Sequence, residues 1–306
     1  MSKTVAVLMG GRSSEREVSF SSGRECAKAL REAGYQVREV DVGHEVGALI
    51  AALEPKPDVV FNALHGRWGE DGTIQGLLEL LDLRYTHSGV MASAVAMDKV
   101  MTKHLVAVEG IASPEGEIVA RAELLTREVM TRPYVIKPNN EGSSVGVRIV
   151  LDGDNSPPIT ADDWRDCETL LVERYIPGRE LTVGVMGERA LTVTELAPTQ
   201  GFYDYAAKYT EGRTKHTVPA PVPGAIFEEA MSAAVAAHRV LGCRGVTRSD
   251  FRYDDQGAPP GRLYFLEINT QPGMTPLSLV PEQAKHVGIG FPELCSWMVE
   301  NAACDY

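Results

Sequence analysis

The 306-residue chain contains no apolar run near the roughly 18 residues that a membrane-spanning helix requires. Its start, Met1-Ser2-Lys3-Thr4-Val5, has neither a long apolar region nor a small-residue cleavage site, so no secretory leader is expected. Cysteine is sparse. Cys26, Cys167, Cys243, Cys295 and Cys304 are odd in number, widely spaced and form no C-x-x-C pair. That excludes a disulfide frame and a zinc site, and fits a reduced, cytoplasmic setting. A basic excess is also missing: Lys+Arg 30 against Asp+Glu 42 gives −12, which argues against a nucleic-acid partner. Phosphate-bearing small ligands stay open, because a few local lysines can bind them. The Walker A string is absent, as are internal repeats and low-complexity tracts.

What is present is ordinary globular material, 44% hydrophobic and 24% charged, with length for about two domains. Thr4-Val-Ala-Val-Leu-Met9 is a short apolar run closed by Gly10-Gly11, as for a buried parallel strand entering a glycine turn. A helix to about Ala33 follows, then strands at 37–42 and 58–62 separated by an alanine-rich helix. Strands joined by helical crossovers predict an open parallel sheet whose ligand edge lies past the strand C-termini, at Gly10-Gly11 and His65-Gly66. After about Met97 the pattern turns to α+β: a helix through Val108, strand-like runs at 134–137, 145–151, 169–173, 181–186 and 190–196, and a helix at 225–241. Strands near 246–253 and 263–269 complete it. The stretch 198–222 has no periodicity, and a loop of that length is usually functional.

The sharpest chemistry is acidic. In Leu263-Tyr-Phe-Leu-Glu-Ile-Asn269, Glu267 and Asn269 share one strand face, and Asp250 lies on the preceding strand across a hairpin. Three oxygen side chains so gathered suit Mg²⁺, which also keeps water and phosphate oxygens. Tyr134-Val-Ile-Lys-Pro-Asn-Asn-Glu-Gly-Ser-Ser-Val-Gly146 places Lys137 before a glycine-serine loop able to surround phosphate. Lys99 and Lys208 are further cationic candidates. Glu15 falls in the turn after the first strand, where it could meet an ammonium group. His65, Glu70 and Asp71 fall in a second loop at the same edge, with Asp71 or Thr73 as a helix cap. Glu173 precedes a proline turn on an apolar strand whose edge could face a flat base. The string Gly142-Ser-Ser-Val-Gly146 also matches G-x-S-x-G, but its flanks read as a hairpin rather than a strand–turn–helix, and no histidine follows in a helpful setting.

In this order the strings resemble the D-alanine–D-alanine ligases of the ATP-grasp superfamily, from Gly10 to about Pro281. His65-Gly-x-x-Gly-Glu-Asp-Gly72 with Thr73-Ile-Gln-Gly76 is specific to that family; Lys137-Pro-x-x-Glu-Gly-Ser143 and Glu267-Ile-Asn-Thr-Gln-Pro-Gly273 mark the wider group. The resemblance implies an ATP-grasp fold of the α/β and α+β class in three parts. An N-terminal open parallel α/β domain (1–90) precedes a central domain (91–175) and a C-terminal domain (176–306), which clasp ATP, with a lid at about 198–222.

It further implies that Lys99, Lys137, Lys208 and Ser143 bind the ATP phosphates. Glu173, Tyr175 and Ile176 would read the adenine, and Glu180 the ribose. Asp250, Glu267 and Asn269 would hold two Mg²⁺ ions, with Mn²⁺ able to substitute. Glu15 would meet the ammonium of the first D-alanine, and His65 would also bind substrate; Ser278 and Leu279 would take the carboxylate of the second; Arg248 and the Gly273 N–H would face the oxyanion. Glu15, Ser143 and Tyr209 would form one hydrogen-bonded set over the substrates. Expected partners are D-alanine, ATP and a second copy in a homodimer, with no nucleic acid and no membrane. Thr247, Ser249 and Arg252 depart from the commoner small or apolar residues, which predicts altered strand packing, and Leu277 stands where some members are polar. Tyr209 is tyrosine, where depsipeptide-forming relatives carry phenylalanine, so D-alanine is the expected nucleophile. Another ATP-grasp ligase should lack the His65–Gly72 string, and a non-catalytic binding protein should lack a metal acid.

Overall fold

The computed structural model describes residues 2–140, 146–154, 158–198, 214–275 and 278–305. The apolar run Thr4–Gly10 forms β1, buried along nearly its whole length because it is the middle strand of a parallel sheet ordered β2-β1-β3, with β2 Gln36–Val42 and β3 Val59–Asn62. Buried on both faces, it has to be continuously apolar. Gly10 ends it at φ +87°, and a Cβ there would strike the Asp41 carboxylate and the Arg16 guanidinium. Helix α1, Arg16–Glu32, presents its smallest residues to this sheet: a Cβ at Gly23 would sit 2.6 Å from Met9 Cβ. Helices α2 Val46–Ala52 and α3 Thr73–Leu80 cover the other side.

Helices α4 Val90–Met97 and α5 Lys99–Val108 come next; α5 is the helix expected from about Met97 through Val108, and α4 has no counterpart in the sequence reading. Asp98 is the break: its extended backbone ends α4, and its carboxylate accepts the Met101 N–H at 3.0 Å to cap α5. A four-stranded antiparallel sheet follows, ordered β4-β7-β5-β6, from Gly116–Ala120, Thr169–Arg174, Tyr134–Lys137 and Arg148–Val150, with the short helix α6 Arg121–Leu124. Strand β4 has no counterpart in the sequence reading, since only Val119 of its five residues is fully buried.

The third sheet is antiparallel, ordered β10-β9-β8-β11-β12, from β8 Arg179–Met186, β9 Arg189–Pro198, β10 Thr214–Thr217, β11 Val246–Asp254 and β12 Arg262–Asn269. Strand β10 lies inside the stretch read as an aperiodic loop; pairing with β9, rather than any alternation of its own, makes it a strand. Helix α7, Gly224–Val240, lays Ala230, Ala234 and Ala237 against this sheet, and the small stripe lets Phe251 and Phe265 pack edge to face at 5.7 Å beneath it. Ala96 of α4 and Val106 of α5 join the same core.

The chain end returns to the first sheet. Helices α8 Leu279–His286 and α9 Phe291–Glu300 share one core with β1, β3 and α1, so the N-terminal layer is completed by residues almost 300 positions away. Tyr85, fully buried, bridges Val60 on one side and Ala303 on the other. All five cysteines are free. Among the described residues no helix is long and apolar enough to cross a membrane.

Two buried histidines give the fold an acid sensitivity. Burial pushes the His238 imidazole down to about 4 and the His87 imidazole down to about 3. Both are neutral in the folded chain, whereas the unfolded chain takes up their protons near pH 6.5. Stability is therefore full above about pH 6.5 and falls toward pH 4, by roughly 1.4 kcal/mol per pH unit for each group. Urea titrations across this range should show that loss. His238→Gln, which keeps a partner for Thr247, should make the slope shallower; an unchanged slope would count against His238 as a source.

Candidate active site

Strands β11 and β12 are antiparallel neighbours in which Asp250 lies opposite Glu267 and Arg248 opposite Asn269. Cross-strand partners point to one face, so the two carboxylates are brought together as the sequence spacing predicted. Asp250 is nearly buried and fully engaged. Arg248 donates Nε to Oδ1 at 2.8 Å and Nη2 to Oδ2 at 2.7 Å, and Thr182 Oγ1 of β8 donates to Oδ1 at 2.6 Å. Glu267 Oε2 faces Lys99 Nζ at 3.4 Å. Asn269 Oδ1 accepts the Gln271 N–H at 2.6 Å. Among the described residues no cluster of three His, Cys, Asp or Glu side chains stands ready for a metal. Two carboxylates and one amide oxygen are an incomplete, all-oxygen set. That suits a hard divalent cation which takes its other ligands from water and phosphate.

The cationic side is built by α5 and the four-stranded sheet. The N-terminus of α5 docks on the turn after β5, with Lys99 N–H to Asn139 O at 3.3 Å and Val100 N–H to Asn139 Oδ1 at 3.1 Å. Lys99 and Lys103, four residues apart, share a face of α5. Lys137 ends β5, and Glu173 lies on the neighbouring β7. The buried Glu173 carboxylate is held from both sides, by Lys137 Nζ at 2.7 Å and by Lys103 Nζ. Burial lowers the Lys137 ammonium to about 8, with repulsion from Lys99 adding to it and Glu267 opposing. Lys103 is driven well below its usual value by burial first, then by Lys137 and Lys99. Lys103 was not singled out from the sequence. Its four-residue spacing from Lys99 on a helix was the available signal.

Beyond β7 the chain turns through Tyr175 and Ile176 into β8, where Glu180 lies opposite Arg252 of β11. Arg252 Nη1 stands 3.8 Å from Glu180 Oε2, and the same guanidinium donates to Ile176 O and Gly178 O at 3.1 and 2.8 Å. The unusual arginine thus braces the turn between the two sheets.

At the edge of the parallel sheet, Glu15 is buried just before α1, and its Oε2 lies 2.8 Å from where a Gly66 Cβ would stand. Ser13 ties the two loops together, accepting the Glu15 N–H at 3.2 Å and donating to His65 O at 2.6 Å. The buried His65 ring contacts Ser22 Oγ at 3.0 Å and Glu70 Oε1 at 3.3 Å. Asp71 caps the turn into α3, accepting the N–H groups of Trp68 and Thr73 at 3.0 and 3.1 Å. The segment after β12 faces this edge. Ser278 Oγ accepts the Thr275 N–H at 3.0 Å and would sit 2.9 Å from a Gly273 Cβ, so a larger residue there would displace that hydroxyl. Leu279 begins α8 beside it.

Ser143, Lys208, Tyr209 and Leu277 lie outside the described residues. The strands flanking Ser143, β5 and β6, pair antiparallel, so its surroundings are the expected hairpin and not a nucleophile elbow.

Family models described as D-ala D-ala ligase C-terminus and N-terminus match residues 110–300 and 43–88. A D-alanine–D-alanine ligase from Acidiphilium cryptum is 59% identical over 302 residues, covering 99% of each chain. One from Rhodospirillum rubrum is 55% identical over 306 residues, covering 100% of each. The crystal structure of a Bacillus anthracis D-alanine–D-alanine ligase superposes with a TM-score of 0.84 at 31% identity, covering 98% of this chain and 97% of that one. Its complex with ATP gives 0.82. With two curated relatives above half identity along their whole length, and both halves of the site on one ATP-grasp fold, the chain belongs to the D-alanine–D-alanine ligase family.

Proposed function

We propose that this chain joins two D-alanine molecules into D-alanyl-D-alanine with ATP as co-substrate, releasing ADP and phosphate and supplying a peptidoglycan precursor. The observation that carries the reading is the 3.4 Å contact of Lys99 on α5 with Glu267 on β12, which sets a cation suited to phosphate beside an acid suited to a metal. A carboxylate resists attack by an amine because its leaving group would be oxide. Phosphoryl transfer from ATP to the first D-alanine makes an acyl phosphate, and phosphate then leaves as the second amine attacks. Lys99 and Lys137, with Lys208, offset the triphosphate charge, and in-line transfer depends on that positioning. Glu173, Tyr175 and Ile176 take the adenine edge and Glu180 the ribose; because both Glu173 oxygens meet lysines, backbone groups contribute the direct contacts to the base.

Glu15 receives the ammonium of the first D-alanine, with His65 beside it, while Ser278 and the Leu279 backbone hold the carboxylate of the second. Arg248, its fork oriented by Asp250, and the Gly273 N–H face the tetrahedral oxyanion; a lost donor of this kind typically costs about 3–4 kcal/mol of barrier. Asp250, Glu267 and Asn269 would hold two Mg²⁺ ions, or Mn²⁺ in their place. When bound, the metal supplies charge stabilisation of the transferring phosphoryl group. The family resemblance would have the 198–222 stretch exclude water from the acyl phosphate, with Tyr209, Glu15 and Ser143 as one set. Division into units 1–90, 91–175 and 176–306, a homodimer and a cytoplasmic location belong to the same reading, supported by one sheet falling in each unit and by the family.

A product assay against a panel of D-amino and D-hydroxy acids tests the substrate. D-Alanine should yield the D-dipeptide with matched ADP and phosphate, and L-alanine little; turnover with another amino acid alone would retain the family and remove the substrate assignment. Glu267→Ala should fold as the parent does and lose at least ~10²–10³-fold in kcat. Wild-type turnover in that variant would refute the metal role.

Lys137 sets an alkaline limit. Its ammonium is charged below about pH 8 and neutral above, so kcat/KM for ATP, which reports the free enzyme, should fall as pH rises through 8. In Lys137→Arg, whose guanidinium stays charged, that limb should disappear from the accessible range. A limb that persists would assign it to another group.

A further inference from the structure

Between the two ends of the site runs a buried polar bridge that the mechanism above does not use. Gln271, two residues past Asn269, is 1% exposed, and Asn62 at the end of β3 is fully buried. Asn62 Nδ2 donates to Gln271 Oε1 at 2.7 Å and to Gly69 O at 3.0 Å. Gln271 Nε2 donates to Leu64 O, and the Gln271 N–H is the group that holds Asn269 Oδ1 at 2.6 Å. Three residues on, the Met274 N–H reaches Ser22 Oγ at 3.4 Å, the hydroxyl that touches His65. One glutamine therefore grips the Leu64–Gly69 loop with its side chain and Asn269 with its backbone.

On the ligase reading, these two ends have different tasks: Asn269 belongs to the phosphate end, and the loop beside Glu15 to the first amino acid. We propose that Gln271 is a positioning residue that sets the spacing between the phosphate-transfer end and the pocket of the first D-alanine. The side-chain type follows from the geometry. An acceptor is needed toward Asn62 and a donor toward Leu64 O, at the end of an arm long enough to cross between chain segments over 200 residues apart, and the glutamine amide supplies both. In-line phosphoryl transfer tolerates little displacement, since about 1 Å can cost ~10²-fold.

Gln271→Met keeps length and volume and removes both side-chain hydrogen bonds. The expected result is a KM for the first D-alanine raised ~10-fold and a lowered kcat, with affinity for a non-hydrolysable ATP analogue within about twofold of wild type. A role limited to stability would lower the melting temperature and scale kcat with every KM unchanged, and that outcome overturns the proposal. If the methionine variant does not fold, Asn62→Ser removes the Asn62–Gln271 bond from the other side, together with the Asn62 bonds to Gly69 O and the Leu64 N–H, and the same KM, kcat and affinity measurements read it. Amide hydrogen exchange needs neither metal nor turnover: protection at Gly69 and Glu70 should fall in Gln271→Met, and unchanged protection there also overturns the proposal. Wild-type enzyme that makes no dipeptide would defeat the ligase reading instead, while exchange still reads the brace.

Discussion

Like charges confined in a poorly hydrated cleft are the constraint on which the centre of this molecule depends. Lys99, Lys103 and Lys137 converge from α5 and β5, and two of them are pushed toward neutrality by burial and by one another. Like charges gathered at one place repel, and Glu173 and Glu267 enter the cluster as counter-charges. Those acids come from different sheets, β7 and β12. The relative placement of the two antiparallel sheets is thus tied to a charge balance.

That balance explains a cation with no assigned contact to ligand. When triphosphate oxygens take over Lys99 and Lys137, Glu173 would be left buried beside an incoming anion. Lys103, bonded to its other oxygen, still gives that carboxylate a hydrogen-bond partner. On the proposed mechanism the arrangement would pass two lysines to the nucleotide while the third stays with the acid. Glu267, which faces Lys99 here, would be the acid to hold a divalent cation on the proposed mechanism.

Much of this was legible from the chain alone wherever a single strand or loop carried the information. The alternation of Glu267 and Asn269, the apolar β1 before Gly10-Gly11, and the His65–Gly72 string each depend on residues a few positions apart. What escaped were features made by distant segments. Lys103 reads as a solvated helix lysine until β5 and β7 close over it. Thr214–Thr217 is a strand only through β9. Asn62 and Gln271 look like ordinary amides, and nothing local states that one buries against the other. Nor does the sequence say that α9 would complete the core of the first sheet.

The departures in β11 are sorted by the pleat. Arg248, Asp250 and Arg252 share the site face, while Thr247, Ser249, Phe251 and Tyr253 alternate onto the core face. Thr247 is accommodated there by His238 at 2.8 Å, whereas the Ser249 hydroxyl finds no partner among the described residues. Strand β12 has a harder task, because strict alternation would put Phe265 on the same face as Glu267. The register solves it: Asp250 pairs with Glu267, but the next residue, Phe251, pairs with Phe265, so Leu266 is the extra residue of a bulge. Bulges re-aim side chains beside functional sites. Here the bulge turns Phe265 inward to meet Phe251 while Glu267 stays outward beside Asp250. Removing the irregularity would force either an aromatic ring into the charged cleft or the glutamate into the core. The one-residue bulge is therefore what lets the same two strands carry both the apolar core and the acidic face.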